Sequence, residues 1–169
     1  MKIISKIKLI VLIMIISFMF SCNKEETYPD IPHIEFLSFT KIQNDYNIDE
    51  KGILTISFTD GDGDIGLAQG DTFAPFNPDS EYYYNFFIKY LERQNGILTE
   101  IDLPFTNNSR IPVIAADLVN KALKGEIEIE LFFNNPLSQY DTVAFEVYIV
   151  DRALHKSNVI TSTDIIVKK

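Results

Sequence analysis

The stretch Gly52-Ile53-Leu54-Thr55-Ile56-Ser57-Phe58-Thr59 places Leu54, Ile56 and Phe58 on one face and Thr55, Ser57 and Thr59 on the other. A repeat of two is the signature of a β-strand with one face buried, because successive side chains point to opposite sides of the pleat. The same period returns twice. In Glu126 to Leu131 the glutamates at 126, 128 and 130 alternate with Ile127, Ile129 and Leu131, and in Val143 to Val150 the apolar set Val143, Phe145, Val147 and Ile149 stands opposite Glu146 and Tyr148. Ile34 to Ile42, the aromatic run Tyr82 to Leu91, Ile97 to Leu103 and Val159 to Val167 are further strands, with Asn95-Gly96 as a hairpin turn between two of them. About seven strands separated by turn signals predict an all-β antiparallel sandwich. Val113 to Lys124 breaks the period: Ile114, Leu118 and Val119 and an Asp117/Lys121 pair have helical spacing, stopped by Gly125, which predicts one short helix crossing between the sheets.

Directly after the first of these strands comes Thr59-Asp60-Gly61-Asp62-Gly63-Asp64-Ile65-Gly66-Leu67. Acids at alternate positions can converge on one hard cation where glycines let the backbone fold tightly, since calcium takes six to eight oxygens. Laid on an EF-hand loop, Asp60, Asp62 and Asp64 fill positions 1, 3 and 5, Gly66 offers the carbonyl of position 7, and Asp71 falls at position 12. Ile65 occupies the position that needs glycine, and a strand leads in, so the expectation is a calcium loop of another kind. A solvated Asp-Gly turn is the competing reading of the same residues.

Phe145-Glu146-Val147-Tyr148-Ile149-Val150-Asp151-Arg152-Ala153-Leu154-His155-Lys156-Ser157-Asn158 resembles the penultimate strand and turn of immunoglobulin-like and fibronectin type III-like bacterial modules, whose pattern is Y-x-V-x-V-x-D-x-A-G-N-x-S-N. Phe145 stands for the aromatic, and Leu154-His155 replaces Gly-Asn. The resemblance implies an immunoglobulin-like sandwich over residues 32–169 and carries no activity with it. In that fold the loops after the second and sixth strands lie at one end, so Asp151 is expected near the Asp60 to Asp64 loop. There it is either a further ligand or the cap of its own turn.

The N-terminus concerns location. Lys2, Lys6 and Lys8 precede an apolar run from Leu9 to Phe20, and Ser21-Cys22 ends it, a charged-then-apolar order typical of a secretory signal. At about 1.5 Å per residue the run is too short for the ~30 Å hydrocarbon core. A small residue before the only cysteine resembles the lipobox of bacterial lipoproteins, in the form common in Bacteroidota. That likeness implies a signal peptide over residues 1–21, lipidation of Cys22, and a membrane anchor through its acyl chains, with palmitate among them. Lys24-Glu25-Glu26 resembles the signal that exports such lipoproteins to the cell surface, which implies outer-membrane attachment with outward display. Residues 22–31 read as a lipidated flexible stalk.

Loss of Lys2, Lys6 and Lys8 with the signal takes the formal charge from −9 to −12. Such an acidic surface disfavours nucleic acid and anionic lipid headgroups as partners. His33 and His155 are far apart in the chain and have no neighbouring cysteine or histidine, so no zinc site of ordinary spacing can be drawn. Gly-x-Ser-x-Gly, His-Glu-x-x-His and phosphate-binding glycine loops are absent from the sequence. The expectation is a noncatalytic surface binding or adhesion module with a structural calcium loop, contacting an unknown protein or glycan through Phe73, Phe76 and Tyr83. The alternatives are a structural or assembly accessory of an outer-membrane complex and a glycan-acting hydrolase.

Overall fold

The computed structural model describes residues 26–114 and 121–169. The expected signal peptide, Cys22, Lys24 and Glu25 lie outside the described residues, as does the middle of the expected helix. β1 (His33–Gln43), β2 (Asp49–Asp60) and β5 (Leu123–Phe132) form one antiparallel sheet in the order β1-β2-β5. β4 (Ile97–Glu100), β3 (Phe86–Gln94), β6 (Thr142–Ile149) and β7 (Ile160–Thr161) form the other, with β8 (Ile165–Ile166) also paired to β6. The described residues therefore form an all-β sandwich of a three-stranded and a five-stranded antiparallel sheet. The two sheets hold the core Ile34, Leu54, Ile56, Phe58, Phe86, Ile88, Tyr90, Leu131, Phe133, Val143, Phe145, Val147 and Ile149 between them.

β1 keeps Ile34, Phe36 and Phe39 on its inward face only because it is bulged. Phe36 pairs with Ile56 and Phe39 with Leu54, although Phe36 and Phe39 are an odd number of residues apart, and the register shift between Phe36 and Ser38 absorbs the extra residue. Phe39 then lies over Gly52, where an added Cβ would stand 2.1 Å from the ring. It stacks on Phe145 with centroids 5.5 Å apart and meets Phe133 edge-on at 5.1 Å. Gly52 is thus a packing requirement.

Three expectations are corrected. The end of the expected helix is strand: Leu123 and Lys124 open β5 and pair with Asp60 and Thr59, the first two rungs of a ladder that runs on to Lys51↔Phe132. The aromatic run enters its sheet only at Phe86, because Asn85 is spent on loops: its Oδ1 accepts from Ile111 N–H at 2.7 Å and its carbonyl from Val150 N–H at 3.0 Å. The last strand is broken in two by Ser162, whose hydroxyl accepts from Phe145 N–H at 3.0 Å where a backbone carbonyl would otherwise serve. Ser157 does the same for Ile149 N–H at 3.0 Å.

The Asn95-Gly96 turn forms as expected, with φ of 52° and 86°. The Ser157-Asn158 pair also gains a physical role, since the Asn158 side chain accepts from Ile34 N–H and donates to Ile34 C=O, tying β1 to the segment after β6.

Gly52→Ala is expected to destabilise the domain by about 1–3 kcal/mol through overpacking, measured by urea denaturation. Adding Phe39→Leu should return part of that loss, whereas a purely local strand-propensity effect would not be relieved.

Candidate metal centre

The inward face of β2 runs Leu54, Ile56, Phe58 and then Asp60, so the strand carries a carboxylate into the end of the core. Asp60 is fully buried, and so is Asp151, just beyond the end of β6. Asp64 is half-buried. One carboxylate oxygen from each of Asp60, Asp64 and Asp151 lies within 4.8 Å of the other two, a span that one cation with oxygen ligands at about 2.3–2.6 Å can bridge.

Local hydrogen bonds aim these groups. Asp60 Oδ2 accepts from Ile65 N–H at 3.1 Å, which closes the acid loop on itself. Asp64 Oδ2 accepts from Ala153 N–H at 3.0 Å, which joins the loop to the turn after β6. Gly63 (φ 69°) turns the backbone between them. Gly66 (φ 138°) passes so close to Pro112 that a Cβ would meet its carbonyl oxygen at 2.7 Å; its role in the structure is this close approach. The second oxygens are the telling atoms: Oδ1 of Asp60, of Asp62 and of Asp64 are buried with no hydrogen-bond partner. A buried acceptor left unsatisfied costs about 1–3 kcal/mol, and more if charged, so three together make a turn-only reading expensive.

The charges respond to one another. Burial, then the neighbouring Asp62, Asp64 and Asp151, push the Asp60 carboxyl up to about 6. Asp64 is raised by burial and by Asp151 and Asp62. Asp151 is raised by burial, against which His155 works. His155 is itself raised by the Asp151 carboxylate.

Asp151 is the cap of its turn: its Oδ1 accepts from His155 N–H at 2.7 Å and its Oδ2 lies 2.9 Å from His155 Nδ1. His155 thus holds the turn, while Leu154 takes φ 69°, where the resembling pattern has glycine. The cap leaves Asp151 within reach of the cluster.

Asp71 does not join the cluster, and its expected place as a ligand is corrected. Its carboxylate accepts from Ala68 N–H at 2.7 Å and forms an ion pair with Arg152, which holds its carboxyl below the usual range. Two arginines that sequence reasoning passed over, Arg110 and Arg152, organise the loop from Ala68 to Tyr84. Arg110 donates to the carbonyls of Tyr83 (2.7 Å), Ala68 and Asp71 (both 3.1 Å) and lies 5.0 Å from the Tyr83 ring. Arg152 lies 5.9 Å from the Phe76 ring. Of the expected contact residues, Phe76 and Tyr83 are therefore half-buried under arginines, and Phe73 is 82% exposed.

Of the segment expected as a stalk, Pro29 C=O accepts from Gly61 N–H at 2.8 Å, and a Cβ on Gly61 would stand 2.3 Å from Tyr28 O. Glu26, the described member of the expected export signal, pairs with Lys124 at 3.7 Å.

On the outer face of the five-stranded sheet, Phe87 stacks on Tyr148 (4.6 Å, 10°), beside a cleft of about 520 Å³ that Phe105 and Lys89 also line. Alternate members of the aromatic run thus divide between core (Phe86, Ile88) and sheet cover (Phe87).

Comparison of the chain with protein-family models, with curated proteins and with solved structures gave no match.

The pH dependence has a definite sign. A carboxyl raised from an unfolded value of about 3.9 to about 6 makes the native state the better proton binder, so its stabilising contribution is lost as pH rises through that window. In EDTA, Asp60→Asn should therefore match the native chain near pH 4 and exceed it in melting temperature, by roughly 5 °C, near pH 7. Equal melting temperatures at both pH values would show that Asp60 carries no buried charge.

Proposed function

We propose that this chain is a noncatalytic, lipid-anchored cell-envelope protein of the Bacteroidota surface-lipoprotein type, in which calcium bound by Asp60, Asp62, Asp64 and Asp151 stiffens the sandwich end that carries a partner-binding loop. The observation that carries the reading is the set of three buried, unpartnered Oδ1 atoms in one acid loop. The carboxylates of Asp60, Asp64 and Asp151, with the charge of Asp62 close by, repel one another, and a divalent ion converts that repulsion into attraction. An all-oxygen, all-anionic donor set suits a hard cation, and extracellular calcium sites work at ~0.1–1 mM. A site of that affinity contributes about 1.4 kcal/mol at ~1 mM calcium and the tight end of the range, enough to hold a loop and too little to drive folding alone.

Cys22 supplies the anchor in this reading, because two or three acyl chains at ~0.8 kcal/mol per buried methylene bind a membrane stably where one does not. Lys24, Glu25 and Glu26 direct the anchored protein outward. The partner, a protein or a glycan, is met by the Ala68 to Tyr84 loop, whose Phe73 stands in solvent while Phe76 and Tyr83 brace it.

Two measurements test the reading. Millimolar calcium should raise the melting temperature of the full chain at pH 7.5 by roughly 3–5 °C over EDTA, and Asp64→Asn should abolish the difference; an unchanged melting temperature in the native chain rejects the calcium site. In a Bacteroidota host, radiolabelled palmitate should enter the native chain and not Cys22→Ser, and added protease should cleave it on intact cells. Label in both chains, or complete protection from protease, rejects anchoring at Cys22 or outward display respectively.

A further inference from the structure

The acid loop touches two parts of the chain distant from it in sequence, and one of these reaches on to the loop that follows it. Through Gly61 N–H it holds Pro29. Through Asp64 Oδ2 it holds Ala153 in the turn after β6. The residue before Ala153 is Arg152, whose guanidinium pairs with Asp71 and lies against Phe76 in the Ala68 to Tyr84 loop. The entering segment and the turn are thus each held to the acid loop by one hydrogen bond, and the aromatic loop, which continues the chain from Leu67, is held to the turn through Arg152 and independently by Arg110.

We infer that cation occupancy at Asp60, Asp64 and Asp151 is the switch that holds both the Ala68 to Tyr84 loop and the Tyr28-Pro29 segment on the sandwich, so that the surface around Phe73 is presented only when the ion is bound. The inference rests on the calcium reading given above. Without a cation, the repulsion among Asp60, Asp62, Asp64 and Asp151 is relieved most simply by opening the acid loop into water. Opening moves Asp64 away from Ala153 and Gly61 away from Pro29. The turn then loses its brace, and the Arg152 link to Asp71 is left on a turn free to shift. The element with two arrangements is the acid loop, closed or open, and the ion binds only the closed one.

Among the described residues, the opposite end of the sandwich holds no such acid cluster. There Asp49 is closed by Lys41 Nζ (2.6 Å), Gln43 Nε2 (2.8 Å) and Lys168 N–H (2.8 Å), donors present whether or not an ion is bound. That end serves as an internal reference.

Hydrogen–deuterium exchange on the full chain in detergent, with calcium chloride or EDTA at pH 7.5, tests this. Calcium should slow exchange about tenfold or more in peptides covering 26–32 and 68–84 as well as 60–67, and leave peptides covering 44–50 unchanged. Slowing confined to 60–67 and 150–158 would overturn the coupling while leaving the calcium site standing. Calorimetric titration with calcium separates the two failures, since no heat of binding rejects the site and this inference with it. Arg152→Ala should keep the calcium titration and the protection of 60–67 and lose that of 68–84. Retained protection of 68–84 in that variant would overturn the Arg152 link.

Discussion

One carboxylate governs the acid-loop end of this sandwich. β2 alternates inward and outward, and its inward series ends on Asp60, so the strand delivers a charge to a place where the preceding residues are core. A buried carboxylate without full hydrogen bonding is costly, and here its neighbours in the loop are also acids. The loop cannot simply point them outward, because Asp60 is in register on a strand paired on both sides, with Thr59 and Asp60 bonded across to Lys124 and Leu123. The Ile65 amide donates to one oxygen of Asp60 and the Ala153 amide to one oxygen of Asp64, the second oxygens of Asp60, Asp62 and Asp64 are left without a partner, and Asp60, Asp64 and Asp151 converge to within 4.8 Å.

The rest of the sandwich makes that end rigid. A bulge in β1 brings Phe39 over Gly52 and against Phe133 and Phe145, which joins the two sheets in the middle. Ser157 and Ser162 replace missing strand carbonyls along β6, so a strand that ends in the cluster keeps its edge satisfied without a continuous partner. Asn158 fastens β1 to the same segment. Hydroxyl and amide side chains serve here as backbone substitutes, which lets the chain turn at the cluster without orphaning buried N–H groups.

Much of this was legible in the residues. Period-two alternation located β2, β5 and β6, because burial of one face leaves that imprint directly in sequence, and Asn95-Gly96 marked its hairpin for the same local reason. The proximity of Asp151 to the acid loop followed from the strand order expected of the fold. The start of β3, the break at Ser162 and the first residues of β5 were not legible, since each depends on a partner distant in sequence: Ile111 and Val150 for Asn85, Phe145 for Ser162, Asp60 for Leu123. Asp71 fitted a ligand spacing by number alone, and Arg152, 81 residues away, took it instead.

What the sequence by itself determined is the alternating strands β2, β5 and β6 and the chemistry concentrated after β2, because alternation and local acid spacing are properties of neighbours along the chain. Which acids come together, which one is paired with an arginine, and that the entering segment meets the acid loop at Gly61 were decided by tertiary structure alone. The physical reason is that charge interaction and burial depend on distance through space, and folding brings Asp60, Asp64 and Asp151 within 4.8 Å while carrying Asp71 off to Arg152.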